Sequence, residues 1–533
     1  MTRLANRLSA VLAVLAAHAP GWAHDAEAAP GTAVLGKVAF ASSCDPQVQA
    51  LFERGVAMLH SFWYSAGEQT FRDVLKADPQ CAIANWGIAS ILMSNALAGQ
   101  GATPKGAEMA QAAIDEGRRI GAKTQRERDY LEAVAAYYQD FSKRTEYDRQ
   151  VARARAYEAL AQRYPADDEA QIFFALYNAG TQTQSDQSYA AYLRSAAILE
   201  DQFRQYPDHP GVAHYLIHSY DAPPLAEKGL NAARRYATIA PAAPHALHMP
   251  SHIFTRVGAW EESVSTNRRS RDVAIAGGEP DEAYHASDYM VYADLQLGRD
   301  ADARRAMAEV SKVDVASSPR FVSRYAMAAM PARYAFERGR WSEAAALQPV
   351  GSSYPFVEAI TSFARSVGAA RSGDLAAARR EAEQLKAQHE ALVGAKNVYW
   401  AKEVEIQRLA ASAWILLGEG RREEALSYMR DAADLEDRNE KHIVTPGRVV
   451  PARELLGDML LELEQPAAAL KEYETSQVRE PNRFRGYLGS ARAAEAAGDR
   501  DKAAAYYRKL LALASHADGD RPELATARQF AQR

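Results

Sequence analysis

Four histidines fall in two matching pairs. His214 precedes His218 by four residues, and His248 precedes His252 by four, with the second pair 34 residues after the first. A spacing of four puts both imidazoles of a pair on one face of a helix. His245 lies one turn upstream of the second pair, and the next stretch carries His285, Asp288 and Tyr292. Seven of the 13 histidines lie between His209 and His285. Neutral imidazole is the commonest metal ligand. Pairs of imidazoles with a carboxylate suit Zn²⁺, Cu²⁺, Fe²⁺ or Ni²⁺, whereas Ca²⁺ and Mg²⁺ take oxygen donors. The expected cofactor is thus a transition metal ion: copper, zinc or iron. Its candidate ligands are His214, His218, His248 and His252, followed by His245, His285 and Asp288. That set exceeds four, which suits either two ions or one ion with an outer shell. Asp221, Arg256, Tyr292 and His60 are candidates for further ligand contacts: Asp221 as a carboxylate, and Arg256, one turn after His252, as an anion partner.

The elements that must position these residues are set by an internal period of 34. Near the C-terminus, Leu456-Gly457, Ala469, Tyr473 and Pro481 recur one period later as Tyr487, Ala491, Gly498, Ala503 and Tyr507. Gly55, Phe71 and Pro79 fit the same places, and Pro207 and Pro241 are one period apart. Gly258 with Trp260, Gly298 with Ala303, Gly339 with Trp341, Gly373 with Ala378, and Gly420 with Ala425 mark further units. Small residues let two helices approach, an aromatic fills the gap to the next unit, and Pro or Gly ends a helix. Thr124-Gln-Arg-Glu127 predicts a capping box. These units resemble tetratricopeptide (TPR) repeats over nearly the whole chain. The expected fold is all-α, a TPR superhelix (α-solenoid) of about twelve helical hairpins.

Register then assigns the histidines to a face. Counting back from Gly258, His245, His248 and His252 take the second, fifth and ninth places of their unit. His214 and His218 take the fifth and ninth places of theirs, and His285, Asp288 and Tyr292 the second, fifth and ninth of the next. In a TPR hairpin those places point into the concave groove. Neighbouring helices packed about 8–10 Å apart bring such imidazoles within reach of one ion. Pro250 inside the second pair removes a backbone donor and predicts a kink there. Three readings remain open. One is a metal centre, with or without catalysis. The second is a scaffold whose groove binds a protein or peptide partner through histidine hydrogen bonds. The third is a set of structural histidines copied by duplication of a repeat.

At 533 residues the chain has the length of three or four domains, but the period implies one array instead. Hydrophobic residues make up 48% and charged residues 25%, enough for a large core in a soluble chain. A net charge of −5 offers no basic field for nucleic acid. Arg3 and Arg7, the apolar run Leu8 to Ala17 and Gly21-Trp22-Ala23 read as a secretory signal peptide over 1–23, with a second candidate cut after Ala26-Glu27-Ala28. The expected location is periplasmic or secreted, with no transmembrane anchor after cleavage. Cleavage after Ala23 would expose His24, whose amine and imidazole can chelate copper; the alternative is a flexible tail. In an oxidising compartment Cys44 and Cys81 are expected to pair, at a gain of about 3–4 kcal/mol; a thiol metal site is the alternative.

The expected organisation is an N-terminal segment over 24–45, an array over 46–436 with the histidine-lined groove at 209–292, an inserted loop over 437–449, and terminal units with a capping helix over 450–533. Insertions at 181–188, 277–282 and 437–449 are expected as exposed loops, the last a bend between two arcs. Glu440-Lys441-His442 lies in it. The sequence has no His-Glu-x-x-His, Gly-x-Ser-x-Gly or P-loop motif. More narrowly, five segments are similar to a family of exported bacterial TPR proteins with histidine-bearing repeats. They are Leu59 to Tyr64, Asp78 to Ala82 with Trp86-Gly87, His209 to Asp221, Ala243 to Phe254, and Thr445 to Gly447 with Pro451 to Gly457. The resemblance implies that the histidine segments belong together and supplies no reaction.

Overall fold

The computed structural model describes residues 33–99, 101–315 and 320–531. The signal-peptide segment, its cleavage positions and His24 lie outside them. Among the described residues all regular structure is helical. The helices from Gln49–His60 to Arg500–Leu513 pair in chain order as antiparallel hairpins, and Pro522–Ala531 caps the last. Counting Pro244–His248 and Pro250–Val257 as one interrupted helix gives the twelve hairpins expected of an α-solenoid.

The small–aromatic–small spacing explains the packing. A Cβ on Gly55 or Gly87 would come within 2.9 or 2.5 Å of the Phe71 ring, which the two glycines admit from both sides. Gly457 and Gly489 admit Tyr473 in the same way, with 2.7 and 2.3 Å to the ring. Phe71 and Tyr473 are thereby buried at 0% and 1% exposure. Gly258 ends the Pro250–Val257 helix with φ +69°, a left-handed cap that a side chain would disfavour.

The disulfide forms between Cys44 and Cys81, with Cα atoms 4.7 Å apart. It ties the N-terminal segment to the first hairpin, and neither sulfur is left for a metal. The expected capping box at Thr124 forms only in half. Thr124 Oγ1 accepts from the Glu127 backbone N–H at 3.2 Å, but the Glu127 carboxylate turns to the Ser43 backbone N–H at 2.6 Å. The segment beside the disulfide takes that acceptor because it would otherwise bury an unpaired amide.

The largest departure from expectation concerns the insertions. Residues 439–450 are not an exposed loop or a bend. All are buried except Arg448, which is intermediate. The segment is pinned by distant partners: the Glu440 N–H donates to the Gln184 carbonyl at 2.8 Å, and Tyr189 Oη donates to Glu440 at 2.8 Å. Arg333 Nη2 donates to the Gly447 carbonyl at 2.8 Å. The described residues from Val34 onward form one compact unit. The 181–188 insertion touches residues 437–440 through Gln184 and Gln187 yet keeps Ser185, Gln187 and Ser188 exposed, and the 277–282 turn is exposed at Gly277-Gly278.

Candidate metal centre

Three successive hairpins supply the histidines. The Pro210–Ser219 helix starts with Pro at its first position, and its N-cap His209 accepts the Val212 N–H through Nδ1 at 3.3 Å. It carries His214 and His218, with Tyr215, Leu216 and Ile217 buried around them. The next helix breaks at Met249, where Pro250 lacks an N–H. Three-residue hydrogen bonds, His252 N–H to the Met249 carbonyl at 3.1 Å among them, carry the chain across. The interruption lies between His248 and His252, while Met249 keeps helical φ and ψ of −52° and −37°. His285 is on the Pro280–Gln296 helix.

These six imidazoles form two adjoining triads. The ligand nitrogens of His214, His218 and His245 lie within 4.8 Å of one another, as do those of His248, His252 and His285. His218 and His252 stack edge to face across the boundary, with ring centroids 5.3 Å apart. All six are buried, from 0% exposure at His214 and His248 to 7% at His285. Burial disfavours the charged ring and lowers every shift resolved here. His214, His218 and His248 are held well below the ordinary value. Burial brings His252 to about 4 against the opposing pull of Asp221, and His285 to about 3 against that of Glu282. At neutral pH these five rings are uncharged.

The hydrogen bonds fix where the remaining proton sits. His248 Nδ1 lies 2.7 Å from Asn267 Oδ1, and Asn267 Nδ2 donates to the Ser263 carbonyl at 2.7 Å, which orients the amide. His252 Nδ1 donates to Asp221 Oδ2 at 2.8 Å. Both rings thus carry their proton on Nδ1 and a lone pair on Nε2, and the two Nε2 atoms face each other at 3.0 Å. Tyr289 Oη, 3.5 Å from His252 Nε2, gives its proton to the Thr445 carbonyl at 3.0 Å. In the first triad His214 Nδ1 donates to the His60 carbonyl at 2.7 Å, and His245 Nδ1 donates to Glu282 at 3.2 Å. His245 Nε2 and His218 Nδ1 are buried with no hydrogen-bond partner. His214 Nε2 faces His218 Nε2 at 3.1 Å. Ring protons held by carbonyl, amide and carboxylate, with Nε2 lone pairs converging, are the outer shell that metal-bound histidines show.

A third group, His60, Glu169 and His209, also meets the distance requirement. It is a closed hydrogen-bond network instead. His60 Nε2 and His209 Nε2 donate to the two Glu169 oxygens at 2.9 and 3.0 Å, and Tyr215 Oη donates to His60 Nδ1 at 2.9 Å. Burial would raise the Glu169 carboxyl, but His60 and His209 outweigh it and hold the group far below its usual range. Both imidazole lone pairs are taken, His60 Nδ1 by Tyr215 and His209 Nδ1 by the Val212 N–H, so neither ring is free to bind an ion. His60 supports the first triad only through its backbone carbonyl.

Other candidates are placed differently from expectation. Asp288 is not a ligand: Arg333 Nη1 pairs with its carboxylate while the rest of that guanidinium holds the carbonyls of Gly447 and Arg448. Burial raises Asp288 to about 6 despite Arg333. Tyr292 Oη accepts from Arg483 at 2.5 Å and donates to Glu480 at 3.1 Å, away from the imidazoles. Arg256 binds no free anion, because its Nε donates to Asp221 at 2.8 Å. Asp221 also accepts from Lys441 Nζ at 3.2 Å. Burial would raise its carboxyl, yet Lys441, Arg256 and His252 hold it far down. Sequence reasoning missed Asn267, Glu282, Glu169 and His209 as partners. Only Glu282 left a signal, three residues before His285 on the same helix.

Residues 439–450 pack over this face, as the Tyr289–Thr445 and Asp221–Lys441 contacts show. The six imidazoles therefore line an enclosed site rather than an open groove. A cavity of 210 Å³ reaches His245, lined also by Trp63, Glu279, Glu282 and Arg320. It shares Tyr64, Ser65 and Arg320 with a second cavity of 830 Å³.

No family model matches the sequence, and no curated protein matches it. Among solved structures, the Cut9–Hcn1 hetero-tetramer of the APC/C is similar at 11% identity and a TM-score of 0.30, covering 91% of this chain and 95% of that one. Yeast Tom70 is similar at 12% identity and 0.31, covering 90% and 86%. The structure of Naa15/Naa10 bound to HypK-THB is similar at 15% and 0.21, covering 90% and 70%. Likeness at this level carries no argument; the all-α array of TPR-like hairpins stands on the chain's own helices.

Proposed function

We propose that this is an exported protein whose TPR-like array holds a transition metal, copper, zinc or iron, in a buried histidine centre. One observation carries the reading. His248 Nε2 and His252 Nε2 present lone pairs to each other at 3.0 Å, with both ring protons committed to Asn267 and Asp221. Two such lone pairs repel unless an electron-pair acceptor lies between them. A proton does not serve at neutral pH, since burial holds His252 at about 4. A metal ion does. The Arg3–Ala23 segment and the Cys44–Cys81 disulfide support export to an oxidising compartment. A protein or peptide partner bound through these same histidines would have to displace residues 439–450, so the enclosed face favours the ion.

Metal-free protein reconstituted with Cu²⁺, Zn²⁺ or Fe²⁺ should rise in melting temperature with at least one of them, because an ion bound only to the folded state stabilises it by about 2.7 kcal/mol at a hundredfold excess over Kd. The His248→Ala/His252→Ala variant should lose most of that rise. No uptake of any of the three by the wild type would overturn the reading.

A further inference from the structure

The donor set says how many ions and of which kind. We propose that the six imidazoles form a dinuclear copper centre, with His214, His218 and His245 on one ion and His248, His252 and His285 on the other. The inference rests on the metal-binding reading above and goes beyond it in number and identity.

Number follows from the two ligand groups and their outer partners. Three ring nitrogens converge within 4.8 Å in each of two separate triads. One ion placed between His248 and His252 leaves the first triad unused. It also leaves His245 Nε2 with no partner. The outer partners are likewise duplicated: the His60 carbonyl and Glu282 serve the first triad, Asn267 and Asp221 the second. A single ion with an outer shell of histidines would instead need three of the rings to hydrogen-bond to the other three.

Identity follows from ligand type and affinity order. No carboxylate converges with either triad, since Asp221 and Glu282 engage ring Nδ1 atoms and Asp288 engages Arg333. An all-imidazole set suits Cu and Zn better than the carboxylate-rich sites of iron or manganese pairs. Of the two, Cu(II) heads the affinity order among divalent first-row ions. The 210 Å³ cavity against His245 gives an ion a way in.

The test is a copper titration of the metal-free chain beginning at residue 24 and carrying His24→Ala, which removes the imidazole that a new N-terminal amine would otherwise pair with to chelate copper. The expected result is two Cu²⁺ per chain, falling to one in His218→Asn/His245→Asn and to one in His252→Asn/His285→Asn. One Cu²⁺ in the parent chain, or complete loss of copper in either double variant while its helical circular dichroism and melting temperature stay intact, overturns the dinuclear centre and leaves the metal-binding reading standing. Two Zn²⁺ bound in preference to copper in direct competition overturns the identity. No metal of any kind overturns both readings.

Discussion

His252 is held between Asp221 and His248. Its Nδ1 lies 2.8 Å from Asp221 Oδ2 and its Nε2 3.0 Å from His248 Nε2, with His248 braced in turn by Asn267 at 2.7 Å. The proton is fixed on the outer nitrogen of each ring, and the inner nitrogens converge. Distances to the rings alone would not separate this site from the His60–Glu169–His209 group; the placement of protons does.

The brace on His248 makes the first prediction. Asn267→Ala removes the acceptor that fixes its ring, so the proton is free to move to Nε2 and oppose the ion. Loss of an outer-shell partner of this kind weakens metal binding by about 10–100-fold. Competition against a chelator of known affinity measures it. An unchanged affinity would mean that the ring assignment at His248 is wrong.

Asp288 and Arg333 form a clasp under residues 447–448, apart from the converging imidazoles. Asp288→Asn should leave metal content unchanged. Arg333→Met strands a buried carboxylate and frees the Gly447 carbonyl, at a loss of about 3–5 kcal/mol in a denaturant titration. Combining the two substitutions should recover part of that loss, because no carboxylate is then left unpaired. A combined loss equal to or larger than that of Arg333→Met alone would show that the pair is not the source.

The Cys44–Cys81 bridge closes a sequence separation of 37. Chain entropy assigns such a loop about 3–4 kcal/mol. The Cys44→Ser/Cys81→Ser variant should unfold at correspondingly lower denaturant while keeping its metal stoichiometry, since neither sulfur approaches the triads. Metal lost in the still-folded variant would place the cysteines in the site after all.

Acid dependence follows from the same burial that keeps the rings neutral. A proton competes with the ion only below a ring's own pKa, so a depressed value weakens the competition. With His252 at about 4 and His285 at about 3, both rings are still neutral at pH 5.5. An ordinary histidine of pKa about 6.5 is by then about nine-tenths protonated. Affinity measured with a pH-independent competitor should therefore fall less than tenfold between pH 7 and 5.5. An exposed three-histidine site would lose about a thousandfold. A drop of that size here would mean that the rings are solvated.

The helical array was legible because its determinants are local and periodic: Gly55, Phe71 and Gly87, or Gly457, Tyr473 and Gly489, meet within one or two hairpins. The histidines were legible for the same reason, since a 34-residue register carries His214 and His218 onto His248 and His252. Their outer partners were not. Asn267 sits on the facing helix of its hairpin, and which polar residue meets His248 there is decided by packing, not by period. Residues 439–450 were misread because nothing local makes that segment fold inward. Lys441 is drawn to Asp221 and Gly447 to Arg333, partners more than a hundred residues away. Once buried, such charges are held only by each other.

Elemental analysis of the untagged protein, isolated without chelators, bears most directly on the histidine centre. The expected result is transition metal at one or more ions per chain, reduced in the folded His248→Ala/His252→Ala variant. A wild-type protein with no transition metal, and none taken up on reconstitution, would contradict the account.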